Sequence, residues 1–170
     1  VDSSGNVYVV GQTNLTGGID SIVIAKYNST GVHQWDKTLG GTSTTEQGHG
    51  ICVDSSDNIL VCGRSNKGTS GTGAILLKLN SSGAEQWQRT LDGASSQEAY
   101  EVAVDSSDNI YIGGYTAVSG YQYFLLAKYN SSGTLQWNKK IGGSSTTDLG
   151  RSVTVDSSDN VYVTGGRNGA

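Results

Sequence analysis

The chain repeats itself. Val1-Asp2-Ser3-Ser4-Gly5-Asn6-Val7-Tyr8-Val9 returns as VDSSDNILV from Val53, as VDSSDNIYI from Val104 and as VDSSDNVYV from Val155, at spacings of 52, 51 and 51 residues. Two more landmarks keep the same order. K-[YL]-N-S-[ST]-G-x-x-Q-W runs from Lys26 to Trp35, Lys78 to Trp87 and Lys128 to Trp137, and [LI]-[GD]-G follows each Trp from Leu39, Leu91 and Ile141. A fixed period of about 40–50 residues restricts the fold to solenoids, propellers or arrays, in which each unit buries its apolar surface against the next copy.

Within one period the apolar residues fall in short runs. Ile51 to Val53 leads into Asp54-Ser55-Ser56-Asp57-Asn58, and Ile59 to Cys62 leads out; Ala74 to Leu79 ends at Asn80-Ser81-Ser82-Gly83, and Gln86 to Leu91 ends at Asp92-Gly93. Runs of this length, rich in Val, Ile, Leu and Tyr and bounded by Gly/Asn/Asp/Ser turns, read as strands. Four strands per unit joined by short loops make one propeller blade. A β-solenoid competes, but its coil is shorter and does not carry one Trp per repeat. The pattern therefore predicts an all-β fold, a β-propeller of four-stranded antiparallel blades with about three and a third blades present. The repeats run approximately over 1–52, 53–103 and 104–154, with a partial one at 155–170. The 25 Gly and absence of Pro fit a chain of many tight turns and short strands.

The turns have structural roles. Asp2, Asp54, Asp105 and Asp156 each stand where a carboxylate can accept the backbone N–H two residues on, an Asx-turn. The Gly or Asp before each following Asn, and that Asn itself, are expected to take the left-handed region that closes such turns. Gly31, Gly83 and Gly133 are expected at positive φ. Trp35, Trp87 and Trp137, four residues later on the outermost strand, are placed to wedge against the neighbouring blade.

The string D-S-x-x-N-x-Y-V-x-G, then A-K-[YL]-N-x-x-G-x-x-x-W, then L-G-G, resembles the bacterial seven-bladed β-propeller (SBBP-type) repeat family over the whole chain. The G-x-x-x-W element alone is similar to the tryptophan-docking motif of quinoprotein dehydrogenase propellers. The first resemblance implies a propeller and an extracellular or surface protein. It supplies no catalytic residues.

Charge and length exclude some partners. Only 15% of residues are charged, the net charge is -4, and no basic run appears, so a nucleic-acid partner lacks its electrostatic footprint. No apolar stretch approaches the roughly 20 residues that cross a bilayer, so no membrane insertion is expected. The pattern is already under way at Val1, so the reading expects more chain before it. Propellers close with about four to eight blades, and seven at this period need roughly 360 residues. The expected partners are accordingly further blades of the same longer polypeptide, with other copies of this chain completing a ring as the alternative.

The connections between the second and third strands (12–20, 64–73, 115–122) and between blades (42–49, 94–100, 144–151) vary most from repeat to repeat. In an up-and-down blade both open on one face of the ring, and binding residues concentrate on loops held by a rigid scaffold. The candidates for ligand binding are Asn14, Asp20, Glu46, His49, Arg64, Lys67, Glu98, Tyr100, Tyr115, Tyr121, Asp148 and Arg151. His33 and His49 fit no metal-ligand or triad spacing. Cys52 and Cys62 flank one hairpin; two buried thiols account for them, with a cross-hairpin disulfide as the alternative. The Asp-Ser-Ser-Asp-Asn turn lacks the Gly and distant Glu of an EF-hand loop. The sequons at Asn28, Asn80 and Asn130 coincide with a turn that needs Asn and Ser anyway, and a fourth stands at Asn14. No cofactor and no catalysis are expected. The predicted role is a secreted or cell-surface scaffold for binding, adhesion or assembly with a protein or carbohydrate ligand. The alternatives are a structural subunit of an extracellular polymer or matrix, and part of an enzyme completed by other blades.

Overall fold

The computed structural model describes residues 1–15, 19–41, 44–68, 71–93, 96–143 and 147–168, with only the backbone of Leu15, Lys67, Gly68 and Asn168. Among them are thirteen strands: β1 (Val7–Leu15), β2 (Ile19–Tyr27), β3 (His33–Leu39), β4 (Glu46–Val53), β5 (Ile59–Gly68), β6 (Gly71–Leu79), β7 (Glu85–Leu91), β8 (Gln97–Val104), β9 (Ile110–Val118), β10 (Tyr121–Tyr129), β11 (Leu135–Ile141), β12 (Thr147–Val155) and β13 (Val161–Asn168). They pair antiparallel in the orders β1-β2-β3, β4-β5-β6-β7, β8-β9-β10-β11 and β12-β13. Two whole blades are thus flanked by the three outer strands of one and the two inner strands of another. Strands β4, β8 and β12 start their blades and lie against one another. The all-β propeller architecture read from the repeats is what the chain adopts.

The middle strands of each blade carry unbroken apolar runs because both sheet faces are covered. Successive side chains point to opposite faces. Ile59 and Val61 pack with Tyr8, Ile22 and Ile24 of the blade before, while Leu60 and Cys62 pack with Val102, Ile110 and Ile112 of the blade after. Each such side chain contributes about 1.5–3 kcal/mol of gross stabilisation when fully buried. The outermost strands β3, β7 and β11 are largely half-buried or exposed and correspondingly polar. Both cysteines are free thiols, Cys62 wholly buried and Cys52 packed against the same cluster. Burial pushes the Cys52 thiol up to about 12 and raises Cys62 as well.

The two hairpin turns are one design. Asp54 Oδ1 accepts from Ser56 N (3.0 Å) and Asn58 N (2.9 Å), as Asn80 Oδ1 does from Ser82 N (3.1 Å) and Ala84 N (2.9 Å). The fourth residue closes each turn in the left-handed region: Asp57, Asp108 and Asp159 at φ 58–63°, Gly31, Gly83 and Gly133 at 78–79°. The Asn after each Asp is not left-handed, contrary to expectation; Asn58 instead spends its amide on Asp54 Oδ2 (2.9 Å). Asp tolerates this backbone better than most residues, and its carboxylate bridges blades. Ser55 N and Oγ donate to Asp108 (2.9 and 2.6 Å), and Ser3 and Ser106 do the same to Asp57 and Asp159. On the outer hairpin the bridge is aromatic: a Cβ on Gly83 would stand 3.1 Å from Trp35 of the preceding blade, and one on Gly133 would stand 3.1 Å from Trp87.

Strands run further than their apolar runs. β4 begins at Glu46, and the ladder carries through polar pairs such as Gln47 with Arg64. Backbone pairing needs no apolar side chain, so most of what the sequence suggests as variable loop is strand. The β9–β10 connection shrinks to Ser119-Gly120, both at positive φ, as a two-residue hairpin turn requires.

Candidate functional site

Each innermost strand carries a bulge at the same place. Gly48 pairs with Gly63 and Gly50 with Cys62, leaving His49 as the extra residue; Tyr100 and Arg151 are the extra residues of β8 and β12. A bulge inserts one unpaired residue and re-aims its side chain. Close packing around it is strict. A Cβ on Gly63, Gly114 or Gly165 of the partner strand would collide with the carbonyl oxygens of Gln47, Glu98 and Leu149, and one on Gly48 would meet Val10 and Ile22 of the preceding blade. The residue before each bulge (Gly48, Ala99, Gly150) and its partner across the ladder (Gly63, Gly114, Gly165) are therefore confined to small residues. The bulged positions are not, and they hold three different side chains.

Those three side chains form one column across three blades. The His49 and Tyr100 rings stack at 5.4 Å and 30°, and the Arg151 guanidinium lies 4.9 Å from the Tyr100 ring centroid. Tyr115 flanks Tyr100 at 6.1 Å. Beneath them Glu98 is 7% exposed. His49 Nδ1 lies 3.5 Å from Glu98 Oε1 and donates to the Ala99 carbonyl at 3.1 Å, while Arg64 Nη1 is 3.9 Å from Glu98 Oε2. Burial and the nearby Glu98 charge raise the Tyr100 phenol and push Tyr115 to about 12, so both stay protonated donors at neutral pH.

A row of planar polar groups joins the column at Glu98. Arg64 Nε donates to Gln47 Oε1 (2.8 Å), Gln47 Nε2 to Asp20 Oδ2 (2.6 Å), and Asn14 Nδ2 to Asp20 Oδ1 (3.0 Å). Hydrogen bonds from Gln47 and Asn14 hold the Asp20 carboxyl below its usual range. Eight of the sequence candidates thus meet in one connected patch. They sit within strands rather than on the connections themselves.

The other four are placed differently. Glu46 and Asp148 are 2% and 1% exposed. They occupy one repeat position with Gln97, and that position anchors the turn between blades. Asp148 Oδ2 accepts from Gly143 N (3.1 Å), and Arg167 Nε donates to Asp148 Oδ1 (2.7 Å). Gln97, in the amide orientation that satisfies its neighbours, accepts from Gly93 N (3.2 Å) and donates to Leu91 O (3.0 Å). Ser65 Oγ donates to Glu46 Oε1 (3.3 Å). Tyr121 pairs with Val118, three residues from Tyr115, so it points from the opposite sheet face. The Lys67 side chain lies outside the described residues.

Gln47, which carries the row, is not marked out by the sequence. The apolar pattern does not reveal the bulges either, although a signal exists: the Gly that ends each Y-V-x-G string falls inside a strand at Gly63, Gly114 and Gly165. A strand-interior glycine marks a bulge or a close backbone approach. Among the described residues no group of three or more His, Cys, Asp or Glu could hold a metal ion. Three segments of the chain, residues 34–68, 93–122 and 136–166, match the SBBP β-propeller repeat, together more than half its length. No curated protein matches the chain.

Proposed function

The chain belongs to the SBBP β-propeller repeat family, and we propose that it is a non-catalytic, secreted or cell-surface binding module. Its ligand, a protein or a carbohydrate, meets the propeller at the His49–Tyr100–Arg151 column. The observation that carries this reading is the contrast at the bulge. The residue before it and the glycine paired with that residue are small in every blade, with contacts under 3 Å such as Gly48 against Ile22 at 2.9 Å, while the bulged residue itself differs in every blade. A scaffold that fixes where a side chain is shown but not which one suits recognition.

The titratable groups support binding over catalysis. The aspartates held below their ordinary range in the hairpins, Asp54 and Asp105 among them, hold turns on the face away from the column. The cysteines are buried with raised thiols, which removes them as nucleophiles. Near the column the shifted phenols keep their protons at neutral pH.

Further blades are the natural partners of the outer sheet faces. Val7 and Val9 are 42% and 51% exposed, whereas Ile59 and Val61, one repeat on, are wholly buried against the neighbouring blade. An extracellular location fits the low charge and the abundance of Ser, Thr, Asn and Gly.

A glycan array read with wild type, Tyr100→Ala and Ser55→Ala tests the reading. Retention lost in Tyr100→Ala and kept in Ser55→Ala, which lies among the hairpins, supports it. Retention that is indifferent to Tyr100 contradicts it. Fractionation of producing cells tests the location; recovery in the cytosol contradicts it.

A further inference from the structure

Resting on the binding-face reading, we propose that the column and its adjoining row take a uronate-bearing oligosaccharide, with Arg151 holding the sugar carboxylate. Three observations lead there. The first is an uncompensated charge. Glu98 is shared between His49 and Arg64, but among the described residues no carboxylate lies within ion-pair distance of Arg151. The guanidinium carbon lies 4.9 Å from the Tyr100 ring centroid and the group also interacts with the Tyr100 phenol, but the side chain is exposed and its remaining N–H groups are open to a partner. A guanidinium edge matches a carboxylate in two parallel hydrogen bonds.

The second observation is the row Asn14–Asp20–Gln47–Arg64. Its amide, carboxylate and guanidinium groups form one hydrogen-bonded line, and each keeps lone pairs or N–H groups beyond those bonds. Vicinal sugar hydroxyls each donate and accept, so they suit such a line better than a flat apolar or purely ionic ligand does. The third is the overall charge. At -4 the chain repels dense polyanions at long range, so its anion recognition is local, one carboxylate at one site. A hydroxyl-rich ring bearing a single carboxylate satisfies all three.

The test is calorimetric titration of the 170-residue chain with glucuronosyl-xylotriose, which carries one carboxylate, with its methyl ester, and with acetate at matched carboxylate concentration. Glucuronosyl-xylotriose should bind at least about tenfold tighter than its ester, as one charge-assisted pair provides. Arg151→Gln should bring the two to equal affinity, Arg151→Lys should keep part of the difference, and acetate should show no saturable binding. Equal affinity for acid and ester in wild type overturns the proposal, as does a preference that survives Arg151→Gln. Saturable acetate binding overturns the sugar and leaves only a carboxylate site. If neither oligosaccharide binds, the uronate proposal falls. The binding-face reading then stands or falls separately, on whether ligands retained by wild type are lost with Tyr100→Ala.

Discussion

Gly31, Gly83 and Gly133 occupy the same turn at φ 79°, 78° and 78°, yet alanine should cost different amounts at each. An L-residue in this region costs about 1–2 kcal/mol whatever surrounds it. At Gly31 nothing lies within 4 Å of the new Cβ, and the residue is exposed, so that backbone term is the whole cost. At Gly83, which is buried, the Cβ would stand 3.1 Å from the Trp35 ring and 2.9 Å from Lys37 Cε. At Gly133 it would meet three Trp87 ring atoms at 3.1 Å. The ring must withdraw from the next blade, an overpacking cost of about 1–3 kcal/mol more. Gly31→Ala should therefore lose about 1–2 kcal/mol, and Gly83→Ala and Gly133→Ala about 2–5 kcal/mol. Equilibrium urea unfolding of the 170-residue chain, read by tryptophan fluorescence and compared at unchanged m, measures the difference. Equal losses at all three positions would refute the claim that tryptophan docking on these glycines joins the blades.

Acid should weaken the fold through the hairpins. Burial pushes the Asp54 carboxyl up, but hydrogen bonds from Lys78 (2.7 Å) and Asn58 outweigh it and hold the carboxyl below its usual 3.8. A depressed folded pKa contributes stability above the unfolded value that drains as pH falls through the folded one. The urea midpoint should drop between about pH 5 and pH 3, and less steeply in Asp54→Asn; a midpoint that is flat or rising on acidification contradicts this. A second test uses a thiol reagent at pH 8. Native chain should stay unlabelled, because Cys62 is wholly buried and the Cys52 thiol sits at about 12, and urea should release two reactive thiols. Rapid labelling of the folded chain would contradict the packing described for β4 and β5.

The blades were legible because repetition exposes them. Four spaced copies of one hairpin and three of another define the unit, and Gly83 and Trp35 advertise their roles by recurring. Legibility failed where a feature depends on contacts between units. The polar ends of β4 and β8 look like loops, since Glu46-Gln47 and Gln97-Glu98 carry no apolar alternation, yet the ladder extends through them. Glu46, Gln97 and Asp148 share one anchoring position that is visible only once the turns between blades are built. Gln47 enters the site because Asp20 of one blade and Arg64 of its own reach it from either side. The bulge shifts side-chain direction by one residue, so alternation read along a single strand cannot place His49, Tyr100 and Arg151 in one column.

The most direct test of the account replaces those three residues together. His49→Ala/Tyr100→Ala/Arg151→Ala removes two aromatic pairs, one cation–π contact and the His49 hydrogen bond to the Ala99 carbonyl, worth together about 2–6 kcal/mol. The measurement is ligand retention on the glycan array, alongside urea unfolding of the same preparation. The account predicts a chain that still unfolds cooperatively, within that loss of stability, and retains no ligand that wild type retains. Undiminished retention, or a variant that fails to fold, would mean that the column is part of the scaffold and not the surface it presents.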